Sequence, residues 1–278
     1  MRTRRQYWIL VGGLGIAAFL WSIPTIWMLS MSLQPNEILA RTTTNTGYGL
    51  VPFPFTLENF INLLSLGNTP RWFLNSLIVA TGMTAVTLIL STTAGYALAR
   101  IPFRGRGLVF VLILGGLMVP EQVIFIPLYT MFADWDLHNT YTAMIIPRLA
   151  VPLGVFLMMQ FFRSIPEEVE EAAVLDGAGR WAIFTRIMLP LSVPAITTLA
   201  IITFLYAWND YLWPLVSAQR QEMYTITVGL GSIQENFAQT EGLGRLMASG
   251  VMASLPVITL FIIFQRFVIR GIAMGPTK

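Results

Sequence analysis

Residues 170–190 read EEAAVLDGAGRWAIFTRIMLP, an acidic stretch rich in small residues that lies between two long apolar segments. With helical spacing, Val169, Ala172 and Ala173 share one face, and acids make the rest of the surface polar. These acids are Glu167, Glu168, Glu170 and Glu171. A helix this short is not stable alone. The pattern therefore predicts a helix that docks on a partner protein, since a helix lying on lipid normally carries Lys and Arg instead.

Signals for both ends of this helix are present. Ser164, Pro166 and Glu167 have the spacing of an N-cap, a first-turn proline and a capping-box acid, which predicts that the helix begins there. Gly177 suits the left-handed backbone that commonly ends a helix. A second amphipathic segment follows, and Pro190 marks the start of the next apolar span.

The composition is that of an integral membrane protein. Of 278 residues, 55% are hydrophobic and only 11% are charged, against about 25% charged in a typical soluble domain. The chain has no cysteine and a single histidine, His138. Disulfides, thiolate metal sites and most imidazole chemistry are therefore excluded, and we expect no catalytic residues, no metal and no cofactor. The basic residues form no long run, so we expect no nucleic acid partner.

Six apolar stretches come close to the roughly 20 residues that a helix needs to cross the hydrocarbon core. They run from Tyr7 to Met31, Phe73 to Ala99, Leu108 to Phe132, Thr140 to Phe162, Ile187 to Tyr206 and Leu246 to Ile269. The sequence thus predicts an all-α integral membrane protein with six transmembrane helices. The length of the first stretch, and the lack of a small-residue cleavage site after it, favour a retained anchor helix over a secretory signal.

The positions of Lys and Arg predict the orientation of these spans. Most basic residues outside the apolar stretches lie on the side of the two chain termini, and the opening stretch lies on that side too. The other side carries only Arg41, Arg71, Arg220 and Arg245. The positive-inside rule therefore places both termini and residues 170–190 in the cytoplasm.

The opening stretch has the spacing of a known motif. Its signature positions are Glu171, Ala172, Ala173, Gly177, Ile187, Leu189 and Pro190. This pattern resembles the EAA loop of bacterial ABC importer permeases, and further segments resemble the carbohydrate-uptake branch of that family. They are SLQPNEI (32–38), FTLENF (55–60), FLNSL (73–77), AGYALAR (94–100), WNDYLWPL (208–215) and QRFVIRGIAMGPTK (265–278).

The resemblance implies the type I ABC importer permease fold, with the opening stretch as a cytoplasmic coupling helix that contacts an ATPase. The implied coupling residues are Glu167, Glu170, Glu171, Ala172, Ala173, Asp176, Gly177, Ala178, Arg180, Leu189 and Pro190. We expect three regions: an anchor helix and external loop (1–72), the permease core (73–269) and a cytoplasmic tail (270–278).

The resemblance also implies a location and partners. The location is the bacterial cytoplasmic (inner) membrane, and the partners are a homologous permease subunit, two ATP-binding subunits and an external solute-binding protein. The chain has no Gly-rich loop followed by Lys and Ser or Thr, so ATP is expected to bind another chain.

Ionisable residues within spans are candidates for the solute pathway, because lipid makes them costly. Glu121 follows Pro120 in the third span, and Arg148 follows Pro147 in the fourth. At about 1.5 Å per residue the two lie at similar depths. They either line a translocation cavity or form a buried ion pair that fixes helix packing.

Other pathway candidates are the polar and aromatic residues Asn75, Gln122, Trp208, Asn209 and Asp210. Amide groups suit hydroxyl-rich ligands, and the Trp and Tyr side chains of the WNDYLWPL segment suit either stacking on sugar rings or anchoring at the membrane interface. An unpaired Arg148 would favour an anionic solute such as a phosphorylated polyol, whereas pairing with Glu121 would cancel that preference.

The main hypothesis is a permease subunit for a sugar or a related polyol or glycerol phosphate. The alternative is a secondary transporter or channel that works alone, which would favour an inverted repeat that the sequence does not display. A membrane enzyme lacks support, because the spans contain no paired carboxylates, metal cluster or nucleophile.

Overall fold

The computed structural model describes residues 4–42, 53–65, 68–236 and 242–273, and within these residues the regular structure is helical without a strand. The α-helices are α1 (Arg4–Ser32), α2 (Asn36–Thr42), α3 (Glu58–Ser65), α4 (Thr69–Arg100), α5 (Arg106–Gly115), α6 (Glu121–Asp134), α7 (Tyr141–Ile145), α8 (Pro152–Ser164), α9 (Glu168–Leu175), α10 (Arg180–Ile183), α11 (Leu189–Leu191), α12 (Val193–Trp208), α13 (Leu212–Ser217), α14 (Ile226–Asn236) and α15 (Leu243–Ala273). Short 3₁₀ turns cover Gly116–Met118, Ile146–Arg148 and Gln221–Met223, and a π-helical turn covers Phe184–Met188.

Three of the six predicted spans are continuous helices, and three are bent. In the described residues, α1, α4 and α15 are each long and apolar enough to cross a membrane. The other spans are bent pairs, with 93° between α5 and α6, 52° between α7 and α8, and 74° between the α10–α11 segment and α12. Proline lies at each bend because it lacks an N–H and disfavours helix in the preceding residue. These prolines are Pro120, Pro147, Pro152, Pro190 and Pro194.

The chain divides into two compact units, and three helices start in one unit and continue into the other. Unit 1 comprises Met1–Pro70 and Gly229–Leu255, and unit 2 comprises Arg71–Val228 and Pro256–Lys278. The three regions predicted from the sequence (1–72, 73–269 and 270–278) stay a prediction. Residues 274–278 of the predicted tail lie outside the described residues, as do residues 1–3, 43–52, 66–67 and 237–241.

Unit 1 contains a hydrogen-bonded network of asparagine side chains and backbone groups. The Asn59 side chain donates to the carbonyls of Ser32 (2.9 Å) and Gln34 (2.8 Å) and accepts from Asn36 Nδ2 (3.0 Å). Asn36 Oδ1 in turn accepts the Gly244 N–H at 2.8 Å. A Cβ atom on Gly244 would lie 2.6 Å from Asn59 Nδ2, so a larger residue would displace the asparagine side chains. This network joins the end of α1 to α3 and to the start of α15.

Unit 2 has an apolar core in which glycines permit close helix contacts. Tyr96 on α4, Met158 on α8 and Phe184 in the π-helical turn are buried together. A Cβ atom on Gly95 would lie 2.7 Å from Met158 Cβ and 2.9 Å from the Met159 nitrogen, so α4 and α8 touch backbone to side chain. Small residues serve this packing role in membranes, and Gly95 of the AGYALAR segment serves it here.

Candidate functional site

Residues 170–190 form most of α9, the turn that closes it, α10, the π-helical turn and the start of α11. Gly177 has φ +80°, its N–H donates to the Val174 carbonyl (2.9 Å), and the Ala178 N–H donates to the Ala173 carbonyl (2.9 Å). These paired bonds are a Schellman motif, which satisfies the last carbonyls of a helix and requires a left-handed residue at the glycine position. The C-terminal role predicted for Gly177 is confirmed.

The inner side of α9 is held by Arg100, the last residue of α4. The Arg100 guanidinium donates to the carbonyls of Phe162 (2.7 Å) and Ile165 at the end of α8. It also lies 3.4 Å from a carboxylate oxygen of Glu167 and 3.1 Å from one of Glu170. Only 6% of the Arg100 side chain is exposed, so the charge is compensated by four oxygen-bearing groups instead of water.

Glu170 is the acid that α9 turns inward. Burial raises the pKa of its carboxyl, and the charge of Arg100 together with a hydrogen bond from the Tyr96 hydroxyl opposes that rise. The three side chains form a compact polar joint between α4 and α9, which lies against an aromatic cluster. In that cluster the Tyr96 ring lies 5.5 Å from Phe162 and 4.9 Å from Phe184.

The outer side of α9 is an uncovered apolar surface. Leu175 is 88% exposed and Trp181, in α10, is 72% exposed, although both are large apolar side chains. Val174 is exposed with them, and so are Glu171 and Ala172. An apolar patch of this kind rimmed by polar groups is typical of a protein contact. The inner side of α9 is therefore fixed by contacts within the protein, and its outer side is exposed and able to contact a partner.

The remaining predicted coupling residues lie along the same surface and the return to α12. Asp176, Arg180 and Pro190 are exposed, whereas Ala178 and Leu189 are half-buried against the core of unit 2. The segment is held against the core of unit 2 by three buried side chains, Ile183, Phe184 and Met188. The π-helical turn at Phe184–Met188 adds a residue to the helical turn, a feature that recurs at functional sites.

A second candidate site is a cavity of about 640 Å³ inside unit 2, next to the bends of two spans. Its wall is mostly apolar and comes from α4, α6, α8, α12 and α13 together with both 3₁₀ turns at the bends. Residues at the bends include Leu117, Val119, Pro147, Val151 and Pro152. Bends free backbone groups from helical hydrogen bonding, which membranes tolerate where protein or water in a cavity satisfies them.

A group of ionisable side chains lies at this cavity. Arg148 Nη2 is 3.5 Å from a Glu121 carboxylate oxygen, and Arg148 Nη1 is 3.2 Å from an Asp210 carboxylate oxygen. Tyr206 connects them, because its hydroxyl donates to Glu121 and accepts from Arg148 Nη1 at 2.5 Å. The guanidinium carbon also lies 5.2 Å from the centre of the Tyr206 ring. We call these four residues the Arg148 cluster.

Residues 91–274 match the family described as the binding-protein-dependent transport system inner membrane component. The chain belongs to this family. It is the transmembrane permease subunit of a binding-protein-dependent ABC importer, and the resemblance to this family is confirmed.

Full-length relatives agree with this assignment. The permease is 35% identical to the arabinooligosaccharides transport system permease protein AraQ of Halalkalibacterium halodurans, over 98% of this chain and 96% of that one. It is 31% identical to the trehalose/maltose transport system permease protein MalG of Thermococcus litoralis, over 97% and 96% of the two chains.

A solved structure supports the fold. A chain of a bacterial ABC transporter involved in the import of the acidic polysaccharide alginate matches the permease with a TM-score of 0.83, at 23% identity, over 96% of this chain and 99% of that one. The permease therefore has the type I ABC importer permease fold that the sequence predicted.

The structure corrects two details of the predicted coupling helix. Ser164 is not its N-cap, because it is the last residue of α8 and its hydroxyl donates back to the Phe161 carbonyl (2.7 Å). Val169, Ala172 and Ala173 do not form one buried face either. Ala173 is buried, Ala172 is exposed, and the Glu170 side chain takes the inner position. The sequence pattern missed this because an apolar-in pattern does not anticipate a buried arginine that recruits an acid.

The predicted pathway residues separate into three groups. Glu121, Arg148 and Asp210 are brought together, and the ion pair considered from the sequence is present. Gln122 and Asn209 are exposed, and the Asn209 amide donates to the Leu205 carbonyl at 2.8 Å.

Asn75 and Trp208 are buried in structural positions. Asn75 donates to the carbonyls of Glu222 (2.8 Å) and Tyr224 (2.9 Å) and accepts from the Tyr141 hydroxyl (2.7 Å), so both amide hydrogens and the amide oxygen are bonded within the protein. Trp208 packs on Phe204 and on Phe73. Neither residue lines the cavity.

Two residues of these sites, Arg100 beside α9 and Tyr206 in the Arg148 cluster, were not predicted from the sequence. The basic residues on the side of the chain termini serve above only to predict orientation, yet one of them, Arg100, holds the inner side of α9. Its spacing of four residues from Tyr96 places both on one face of α4, and that spacing was a usable signal. Tyr206 had no sequence signal, because a tyrosine near the end of a span is typical of an interface anchor.

Proposed function

We propose that the permease moves an uncharged sugar or sugar-like polyol into the cytoplasm by ATP-driven alternating access. ATP is bound and hydrolysed by two partner subunits, and a homologous permease completes the pathway as a heterodimer. A solute-binding protein delivers the solute from outside. Both relatives described above are named for sugars: AraQ for arabinooligosaccharides and MalG for trehalose and maltose.

The observation that carries this proposal is the two-sided character of α9. Arg100 and the core of unit 2 fix its inner side, while Leu175 and Trp181 leave the outer side apolar and uncovered. A rigid element with one free face is suited to receive an ATPase and to pass its movement on, because packed elements shift between discrete arrangements. With α9 in the cytoplasm, both chain termini are cytoplasmic, as the basic residues predict.

The cavity beside the Arg148 cluster is the part of the solute pathway that this subunit supplies. Arg148 is paired with both Glu121 and Asp210, so it offers no free positive charge to an anionic solute. This pairing favours an uncharged cargo over the phosphorylated polyol that an unpaired arginine would favour. Glu121 is more than half exposed, so its carboxylate remains able to accept hydrogen bonds from solute hydroxyl groups.

Two matched glycine variants test the coupling assignment. Gly177→Val places a β-branched residue at φ +80°, which costs roughly 1–2 kcal/mol in the left-handed region and deforms the end of α9. Gly179→Val is the control, since Gly179 has φ −73° and an added Cβ meets nothing within 4 Å. The permease is expressed with its cognate subunits, and ATPase retention on the purified permease and ATP-dependent sugar uptake into proteoliposomes are measured.

We expect Gly177→Val to insert into the membrane but to lose the ATPase and uptake, and Gly179→Val to keep both. Retention of the ATPase and of uptake in Gly177→Val would remove the coupling role of α9. Uptake by the purified wild-type permease alone, without ATP or an ATPase, would instead favour the stand-alone transporter.

A further inference from the structure

Helix α4 is the continuous element of unit 2 among the described residues that lie between Arg71 and Val228. The other three spans there are bent by 52° to 93°. From Arg71 to Arg100, α4 extends about 44 Å at 1.5 Å per residue, which is enough to cross the whole bilayer. A continuous helix resists bending better than the bent pairs around it, because none of its backbone hydrogen bonds is interrupted.

One end of α4 is locked to α9. Arg100 contacts the last carbonyls of α8 and two acids of the coupling segment at once, and Tyr96, one turn earlier, bonds to Glu170. A guanidinium holds several oxygens in a fixed planar geometry. Movement of α9 away from α4 would leave the buried Arg100 guanidinium without its two carboxylate partners and the partly buried Glu170 carboxylate without its arginine, which is unfavourable. The two helices therefore move together.

The opposite end of α4 is locked to the segment Gln221–Ile226. Trp72 Nε1 donates to the Gln221 carbonyl (2.7 Å), and Arg71 Nε donates to the Glu222 carbonyl (3.0 Å). Asn75 adds its two bonds to Glu222 and Tyr224, and Ser76 Oγ accepts the Ile226 N–H at 2.8 Å. In the proposed orientation this segment is external and leads into α14.

We infer that α4 is a rigid lever that carries movement of the coupling helix across the membrane to the external segment Gln221–Ile226, and that Arg100 is the positioning residue that joins the lever to α9. The inference rests on the proposed function, because the lever transmits ATPase movement only if α9 receives the ATPase. Arg100 acts through α9 and touches neither solute nor ATP. Without it, α9 keeps its exposed docking face but loses its connection to α4.

The test separates docking from transmission. Arg100→Met removes the guanidinium with its charge and its N–H donors and keeps an apolar side chain. Arg104→Met is the matched control, because Arg104 is exposed in the loop that follows α4. Both variants are reconstituted with the cognate ATPase, partner permease and binding protein. ATPase retention, ATP hydrolysis and solute uptake are then measured in the same proteoliposomes.

We expect Arg100→Met to retain the ATPase and hydrolyse ATP close to the wild-type rate, while solute moved per ATP falls about tenfold, within the usual range for loss of one coupling contact. Arg100→Lys should recover part of that ratio, and Arg104→Met should match the wild type. Unchanged solute per ATP in Arg100→Met overturns the lever. So does a parallel loss of ATPase and uptake, which would make Arg100 a docking residue only.

A distance measurement on otherwise unaltered protein keeps the inference testable if Arg100→Met does not fold. The chain has no cysteine, so spin labels at Leu90→Cys on α4 and Glu168→Cys on α9 are unique. Between nucleotide-free and ATP-bound states, the label distance should change by less than about 2 Å, the size of an ordinary helix shift. A larger change overturns the lever. Failure of wild-type proteoliposomes to show ATP-dependent uptake would instead reject the proposed function.

Discussion

At the scale of single residues, the Arg148 cluster explains how an arginine is tolerated inside a membrane protein. Its charge is shared between Glu121 and Asp210, and the Tyr206 hydroxyl bridges it to Glu121. Breaking such a pair by removing one partner is costlier than the pair is worth. The cluster is therefore a place where a small chemical change has a measurable effect on transport.

Glu121→Gln should impair uptake without preventing assembly. The amide keeps the size of the side chain and Arg148 keeps Asp210, so the fold is preserved, but the charged acceptor beside the cavity is lost. We expect uptake to fall about tenfold, the size typical of losing one charge-assisted hydrogen bond. Uptake rates and subunit copurification measure this, with Glu58→Gln as the matched control, because Glu58 is an exposed acid of α3 that does not line the cavity. Wild-type uptake in Glu121→Gln would exclude a pathway role for the residue.

At the scale of elements, glycines set the spacing between helices of unit 2. Gly95→Val should destabilise the permease, because the added carbons meet Met158 and the backbone of Met159 at less than 3.0 Å. We expect a loss of about 1–3 kcal/mol, the range for overpacking a core. The control is Gly107→Val, where an added Cβ meets nothing within 4 Å. Thermal unfolding in detergent measures both, and equal melting temperatures would contradict the close contact.

The helical elements were predictable to different degrees. Length and hydropathy predicted six spans because lipid demands long apolar helices, and Gly177 was predictable because few residues tolerate its backbone angle. The bends were only marked by Pro120, Pro147 and Pro190, since a proline permits a bend without fixing its angle. The inward position of Glu170 and the burial of Asn75 depend on partners far away in sequence, Arg100 and residues 222–224, which local patterns do not encode.

At the scale of the whole molecule, the absence of cysteine makes the orientation directly testable. Glu168→Cys and Gln219→Cys each place one exposed thiol on the chain, on opposite sides of the membrane in the proposed orientation. In intact cells that express the permease without its ATPase, a membrane-impermeant maleimide should label Gln219→Cys. It should label Glu168→Cys only after permeabilisation. Labelling of Glu168→Cys in intact cells would reverse the orientation and move α9 out of reach of a cytoplasmic ATPase.

The hydrogen-bonded network of Asn36, Asn59 and Gly244 in unit 1 has a consequence for the biosynthesis of the protein. Asn36 and Gly244 are 208 residues apart in the chain, so their hydrogen bond forms only after nearly the whole polypeptide has left the ribosome. Until then, the Asn36 side-chain oxygen lacks the Gly244 N–H that donates to it in the folded protein. The fold of unit 1 is therefore completed late in synthesis, and a chain that stops before Gly244 lacks this hydrogen bond.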